Sequence, residues 1–119
     1  ANLFLRGLLL AAQEEAGLYR DALGTARLIA EIDGGFEGHW GLANILFRYG
    51  QNSEALEACN TAERAAGSDK LRRSEIELVR GQIYRILGES AAAEAAMRAA
   101  LALDPLNAAA WWGLADMKT

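Results

Sequence analysis

Apolar residues recur every three or four positions along most of the chain, which is the spacing of one helix face. The clearest example lies between Gly88 and Pro105, where the apolar stripe consists of Ala93, Met97, Ala100, Leu101 and Leu103. Gly88 predicts the end of the preceding helix, since glycine readily adopts the left-handed conformation found there. Pro105 predicts the next end, because proline cannot continue a helix. This segment is therefore expected to be one helix with two sharp boundaries.

The stripe contains two alanines, Ala93 and Ala100, at positions where a core helix commonly carries larger side chains. A small side chain lets a second helix approach to the short end of the usual axis separation, about 8 Å. We therefore expect this helix to be half of a close-packed antiparallel pair.

The same spacing occurs twice more. A glycine is followed after five residues by alanine and then by small or apolar residues, as Gly17, Ala22, Ala26, Ile29 and as Gly50, Ala55, Cys59, Ala62. The three glycines are 33 and 38 residues apart. A period of this length is typical of stacked helix-pair units.

The whole pattern predicts an all-α chain in one domain, with no strand. The expected helices cover residues 3–16, 19–32, 36–49, 52–66, 69–87 and 108–118, together with the segment between Gly88 and Pro105, for which Ser90 is the expected N-cap. They group into repeats at about 3–35, 36–68 and 69–107, followed by a final helix at 108–118.

Between Ala66 and Ser74 the third repeat carries about four residues more than a repeat of this type needs. Four residues are close to one helical turn, and Ser68 or Asp69 is a good N-cap. We therefore expect the helix to begin one turn early, with Leu71 extending its buried face. A flexible loop is the alternative.

The pattern resembles the tetratricopeptide repeat, whose consensus runs Trp-x2-Leu-Gly-x2-Tyr, then Ala-x3-Phe, then Pro. The third copy keeps Gly81, Tyr84, Ala93 and Pro105, and Met97 takes the aromatic position. The resemblance covers nearly the whole chain. It implies a right-handed α-solenoid of antiparallel helix pairs, with about three repeats and a final helix.

In that family the first helix of each pair, the A helix, lines a concave groove that binds peptides. Transferred by register, the resemblance implies a peptide-binding face made of Glu37, Trp40, Asn44, Phe47, Arg48, Leu78, Gln82, Arg85, Trp112 and Asp116. Trp40 and Phe47 with nearby arginines are typical interface anchors. The alternative is that both rings fill space between repeats.

The closing segment, Ala109 to Thr119, resembles the end of the repeat region in bacterial tetratricopeptide-repeat sulfotransferases. Asp116 and Met117 stand where that pattern has Asn and Leu. The resemblance implies a catalytic domain beyond this chain, with the nucleotide-sulfate site outside it.

Composition and charge argue against two classes of partner, nucleic acid and the membrane. The net charge of −4 gives no basic face for nucleic acid. No apolar run approaches the roughly 20 residues that span a bilayer, so no membrane partner is expected. The single cysteine fits a reducing compartment, and we expect a cytoplasmic protein.

The residues give no support for catalysis, a metal or a cofactor. His39 is the only histidine, and no second ligand stands at metal spacing from it. Cys59 occupies the aromatic position of the second repeat, where we expect burial as a small hydrophobe.

Two apolar surfaces are candidates for burial against another part of the protein or against a second copy of it. The segment Leu3–Ala12 is apolar around most of its circumference, and Trp112 falls on a different side from Trp111 and Leu114. We expect Trp111 and Leu114 to pack on the third pair. The Leu3–Ala12 segment or Trp112 would then form a homodimer or an intramolecular contact. The alternative for Leu3–Ala12 is an apolar first helix with no partner.

Together these observations favour a non-catalytic protein-interaction scaffold that binds a peptide or a neighbouring domain. The alternative is the N-terminal repeat domain of a larger sulfotransferase, serving substrate-protein recruitment or dimerisation.

Overall fold

A computed structural model describes residues 3–117, and every regular element within that range is an α-helix. The helices, in order, are α1 Leu3–Glu15, α2 Tyr19–Asp33, α3 Phe36–Arg48, α4 Asn52–Ala66, α5 Lys70–Ile86, α6 Ser90–Leu103 and α7 Ala108–Met117. The all-α prediction is confirmed for these residues, and the predicted helix ends are correct to within one residue. Residue 118, the predicted end of the final helix, lies outside the described range.

The contacts divide the chain into two compact units, residues 1–65 and residues 66–119. In the first unit α2 packs against both α1 and α3. In the second unit α6 packs against α5 and α7, and α5 also contacts α7.

The turns after Gly17, Gly50 and Gly88 have the same backbone structure. The three glycines have φ of 74°, 79° and 79°, the left-handed region that side chains disfavour. At each turn the N–H of the next residue donates to a carbonyl five positions back, at 2.9, 2.8 and 2.9 Å. This is the Schellman closure of a helix end, so the repeated glycines mark a repeated local structure.

The small residues that follow each turn glycine are buried, as expected. Relative exposure is at most 3% for Ala22, Ala26, Ala55, Cys59, Ala62, Ala93, Met97 and Ala100. Cys59 is therefore a buried thiol, as predicted. Ile29, at the last position of the first copy, is half-buried.

Helix α5 begins one turn early, which confirms the helical reading of the extra residues. Asp69 is its N-cap, and the side chain accepts a hydrogen bond from the N–H of Arg72. The prediction for Leu71 is wrong, because its side chain is 63% exposed. Leu71 lies two turns before the buried Leu78 on the same side of α5, so it is exposed because no neighbouring element covers this first turn of the helix.

Helix α1 is the least covered element. Its exposed side chains include Phe4, Leu5, Leu8 and Leu9, with relative exposures of 49–73%. Leu10 is half-buried and lines a small apolar cleft of about 160 Å³ with Ala26 and Ile29 of α2. The side chain of Leu3, the first residue of the predicted apolar segment, lies outside the described part of the chain.

Candidate functional site

Helices α5, α6 and α7 approach one another closely around Met97, and this packing positions a candidate binding surface on α5 and α7. The Met97 side chain of α6 lies against Gly81 of α5 and Gly113 of α7. A Cβ atom added to Gly81 would lie 2.9 Å from the Met97 Cε, and one added to Gly113 would lie 2.8 Å away. Both glycines therefore make room for the thioether, and α5 and α7 come together over it.

A buried polar network fixes the start of α7. Asn107 is 7% exposed and accepts a hydrogen bond from the N–H of Ala110, which makes it the cap of the helix. Its amide donates to the Ser74 Oγ of α5 at 2.9 Å. The Ser74 hydroxyl in turn donates to the carbonyl of Ala100 in α6 at 2.8 Å. One chain of hydrogen bonds thus joins all three helices.

We call the surface formed by Gln82, Arg85, Trp112 and Asp116 the α5–α7 face. An Arg85 Nη2 lies 3.3 Å from an Asp116 Oδ2, and both side chains are exposed. Trp112 lies one turn before Asp116 and is 74% exposed, while Gln82 lies one turn before Arg85. Arg85 and Asp116 thus join α5 and α7 directly, and Gln82 and Trp112 each lie one turn before one of them on the same helix.

Leu78 is not available on this face. It is 9% exposed and packs in the cluster formed by Met97, Ala100, Ala110 and Leu114. Its interpretation as a partner-binding residue is corrected, because α7 covers the side of α5 on which Leu78 lies.

Trp111 also departs from its prediction, whereas Leu114 is buried as expected. Trp111 is 57% exposed, and its indole N–H donates to the carbonyl of Pro105 at 2.9 Å. The ring is held at the turn before α7, so it does not pack into the core of the third pair.

The five predicted groove residues of α3 have different environments. Trp40 and Phe47 are half-buried, and the Trp40 ring stacks on Phe36 at a centroid distance of 5.9 Å. Asn44 donates from its amide to the carbonyl of Trp40, so this amide already has a partner within its own helix. Glu37 is exposed. The exposed Arg48 pairs with Glu14 of α1 at 3.0 Å.

Sequence reasoning missed a cavity in the first unit. Its volume is about 600 Å³, and it is lined by Tyr19, Arg20, Leu23, Arg48, Tyr49 and Gln51. The rings of Tyr19 and Tyr49 lie 4.9 Å apart at an angle of 55°. A tyrosine close to each of two successive turn glycines, Gly17 and Gly50, is the sequence signal that could have indicated it.

The surroundings of Tyr49 raise the pKa of its phenol above the ordinary value of 10.0. Burial is the largest cause, followed by the charge of Glu14, whose carboxylate lies 3.5 Å from the hydroxyl. The nearby Arg48 acts in the opposite direction. The folded chain therefore holds this proton more tightly than the unfolded chain does. The resulting contribution to the free energy of unfolding is fully present below pH 10, and it is lost as pH rises through the pKa of Tyr49 in the folded chain.

We predict that Glu14→Gln lowers the pKa of Tyr49, since it removes the neighbouring negative charge. Tyrosinate absorbance during an alkaline titration, taken as the difference from a Tyr49→Phe chain, isolates this group. Glu15→Gln is the matched control, because Glu15 is exposed and is not among the groups that shift Tyr49. An unchanged Tyr49 midpoint in Glu14→Gln would remove Glu14 as a cause.

Within residues 3–117 no group of three histidine, cysteine or carboxylate side chains is placed to hold a metal ion. His39 is half-buried at the start of α3. No helix in the described range is both long and apolar enough to cross a membrane.

Comparison with known proteins adds no family or relative. No protein-family model matches the chain, and no curated protein matches it significantly.

Proposed function

We propose that the chain is a non-catalytic protein-interaction module of the tetratricopeptide type, which binds a peptide or a neighbouring domain on its A helices. The observation that carries the proposal is the α5–α7 face. Residues assigned to a groove from two different repeats lie together there, and they include an exposed tryptophan. Tryptophan and arginine are the side chains that most often dominate binding energy at interfaces.

The face has groups suited to an extended acidic or aromatic peptide. The ring of Trp112 offers a flat apolar surface, and Gln82 carries an amide that can pair with a peptide backbone. The Arg85–Asp116 pair is exposed, and exposed ion pairs contribute only about 0–1 kcal/mol. Arg85 can therefore exchange Asp116 for a carboxylate of the partner at little cost.

The proposal predicts that Trp112→Ala and Arg85→Glu weaken peptide binding without unfolding the chain. A random peptide library is selected on the wild-type chain, and the affinities of the enriched peptides are then measured by calorimetry. Loss of an anchor of this kind costs about 2 kcal/mol or more, which is roughly thirtyfold in Kd. Arg85→Glu should weaken peptides with acidic residues most, because two carboxylates would then face the ligand.

Arg98→Glu is the matched control, because Arg98 is an exposed arginine of α6 that pairs with Glu94. It makes the same charge change outside the α5–α7 face and should leave the affinities unchanged. Selected peptides that bind both variants as tightly as wild type would show that binding does not use this face.

A second candidate function rests on the closing segment, whose Trp112 is exposed. In this proposal the chain is the repeat domain of a larger sulfotransferase, and the same face recruits the substrate protein or forms a dimer. The full-length reading frame tests it. A downstream domain with a phosphate-binding loop would support the proposal, and a different downstream domain would reject it.

A further inference from the structure

We propose that the cavity beside Tyr19 and Tyr49 is a binding site for an aromatic carboxylate, separate from the α5–α7 face. All of its lining residues belong to the first compact unit, whereas the α5–α7 face belongs to the second. The cavity volume of about 600 Å³ lies within the range of small-molecule sites, about 300–1,000 Å³.

The charge around the cavity favours an anion. Two arginines, Arg20 and Arg48, line it. The carboxylate of Glu14 contacts two lining residues, since it pairs with Arg48 at 3.0 Å and lies 3.5 Å from the Tyr49 hydroxyl. The second arginine, Arg20, is exposed, and it takes part in none of the ion pairs found between the described residues. A guanidinium binds a planar carboxylate through two parallel hydrogen bonds, so a single carboxylate matches the one remaining cation.

The apolar lining favours an aromatic ring next to that carboxylate. Tyr19 is 59% exposed and lies tilted against Tyr49, and Leu23 supplies a further apolar side chain. Aromatic rings prefer offset or edge-to-face partners at about 4.5–7 Å between centroids, so a third ring can extend the Tyr19–Tyr49 pair. The amide of Gln51 offers both a donor and an acceptor at the wall of the cavity.

Two sources can supply this chemistry, a free small molecule and the C-terminal aromatic residue of a peptide. Both present a ring and a carboxylate a few bonds apart. The experiment therefore needs one arm for each source.

For the small-molecule arm, 3-phenylpropionate is titrated into the 119-residue chain and followed through amide and arginine side-chain NMR signals. The expected Kd is of order 1 mM, given the usual efficiency of a ligand with so few atoms. 3-Phenylpropylamine has the ring with the opposite charge, and butyrate has the carboxylate without the ring. Both should bind at least tenfold more weakly, and equal binding by either would overturn the proposal.

For the peptide arm, a short peptide ending in phenylalanine is compared with its C-terminal amide. If the peptide with a free C-terminal carboxylate binds more tightly than 3-phenylpropionate, the site is assigned to a peptide terminus. Tighter binding by 3-phenylpropionate would assign it to a free small molecule. Failure of both ligands to bind would reject the site.

Arg20→Gln and Tyr19→Ala should each weaken 3-phenylpropionate at least fivefold. Arg27→Gln is the matched control, since Arg27 is an exposed arginine on the same helix that pairs with Glu54 outside the cavity. Equal affinity of Arg20→Gln and wild type would contradict the assignment. These variants leave the α5–α7 face unaltered, so failure here is distinguishable from failure of the proposed function.

Discussion

Met97→Ala is expected to destabilise the second unit by about 2–5 kcal/mol, the range for truncating a fully buried methionine. Met97 is 1% exposed, and the atoms beyond its Cβ fill the space that Gly81 and Gly113 leave open. Removing them creates a cavity where α5, α6 and α7 meet. Urea unfolding measures the loss through Trp111 and Trp112 in a Trp40→Phe background, because the chain has three tryptophans.

Met97→Leu is the conservative control, and it should cost less than about 1.5 kcal/mol because the volume is nearly kept. Gly81→Ala gives a sharper test, because its effect should depend on Met97. In the wild-type chain the new Cβ would lie 2.9 Å from the Met97 Cε and 3.1 Å from its Cγ and Sδ. Met97 is 1% exposed and has little room to move, so the substitution should destabilise. In the Met97→Ala chain that clash is gone, and alanine favours the helix by about 1 kcal/mol over glycine. Destabilisation of the same size in both backgrounds would contradict the contact.

Asn107→Ala is expected to cost about 2–3 kcal/mol, because it removes two interactions at once. The side chain caps α7 through the N–H of Ala110 and donates to the Ser74 Oγ, and both bonds are buried. The same fluorescence-detected unfolding measures the change.

Asn107→Ser separates the two parts of this effect. Serine can still cap the helix, but it is too short to replace the amide that reaches Ser74, so it should recover about 0.5–2 kcal/mol. In a double-mutant cycle, Asn107→Ala and Ser74→Ala should be less than additive, since each removes the bond between them. Full additivity would show that the two side chains do not interact.

The candidate surfaces were only partly predictable. Arg85, Asp116 and Trp112 were identified by family register, and all three lie exposed on neighbouring helices. Leu78 was placed on the same face, but α7 covers it. The Tyr19–Tyr49 cavity is not predicted, because its residues come from two turns about 30 positions apart, and a tyrosine near each turn glycine does not show that the two turns meet.

The sequence by itself determined the helix ends within the described residues to within one residue. These boundaries depend on local interactions, such as the left-handed backbone at Gly50 and Gly88 and the Asp69 side chain at the start of α5. The small-residue spacing likewise identified the buried stripe of each second helix, because a helix fixes which residues share a face.

Only the tertiary structure decided which apolar side chains are covered and which polar side chains meet. Leu71 and Trp111 are exposed although both are apolar and helical, because burial requires a neighbouring element at that position. Ser74 and Asn107 form a buried network across 33 residues, and nothing local to either of them indicates it. Helix boundaries are set within a few residues of chain, whereas burial and long-range hydrogen bonds are set by how the helices pack.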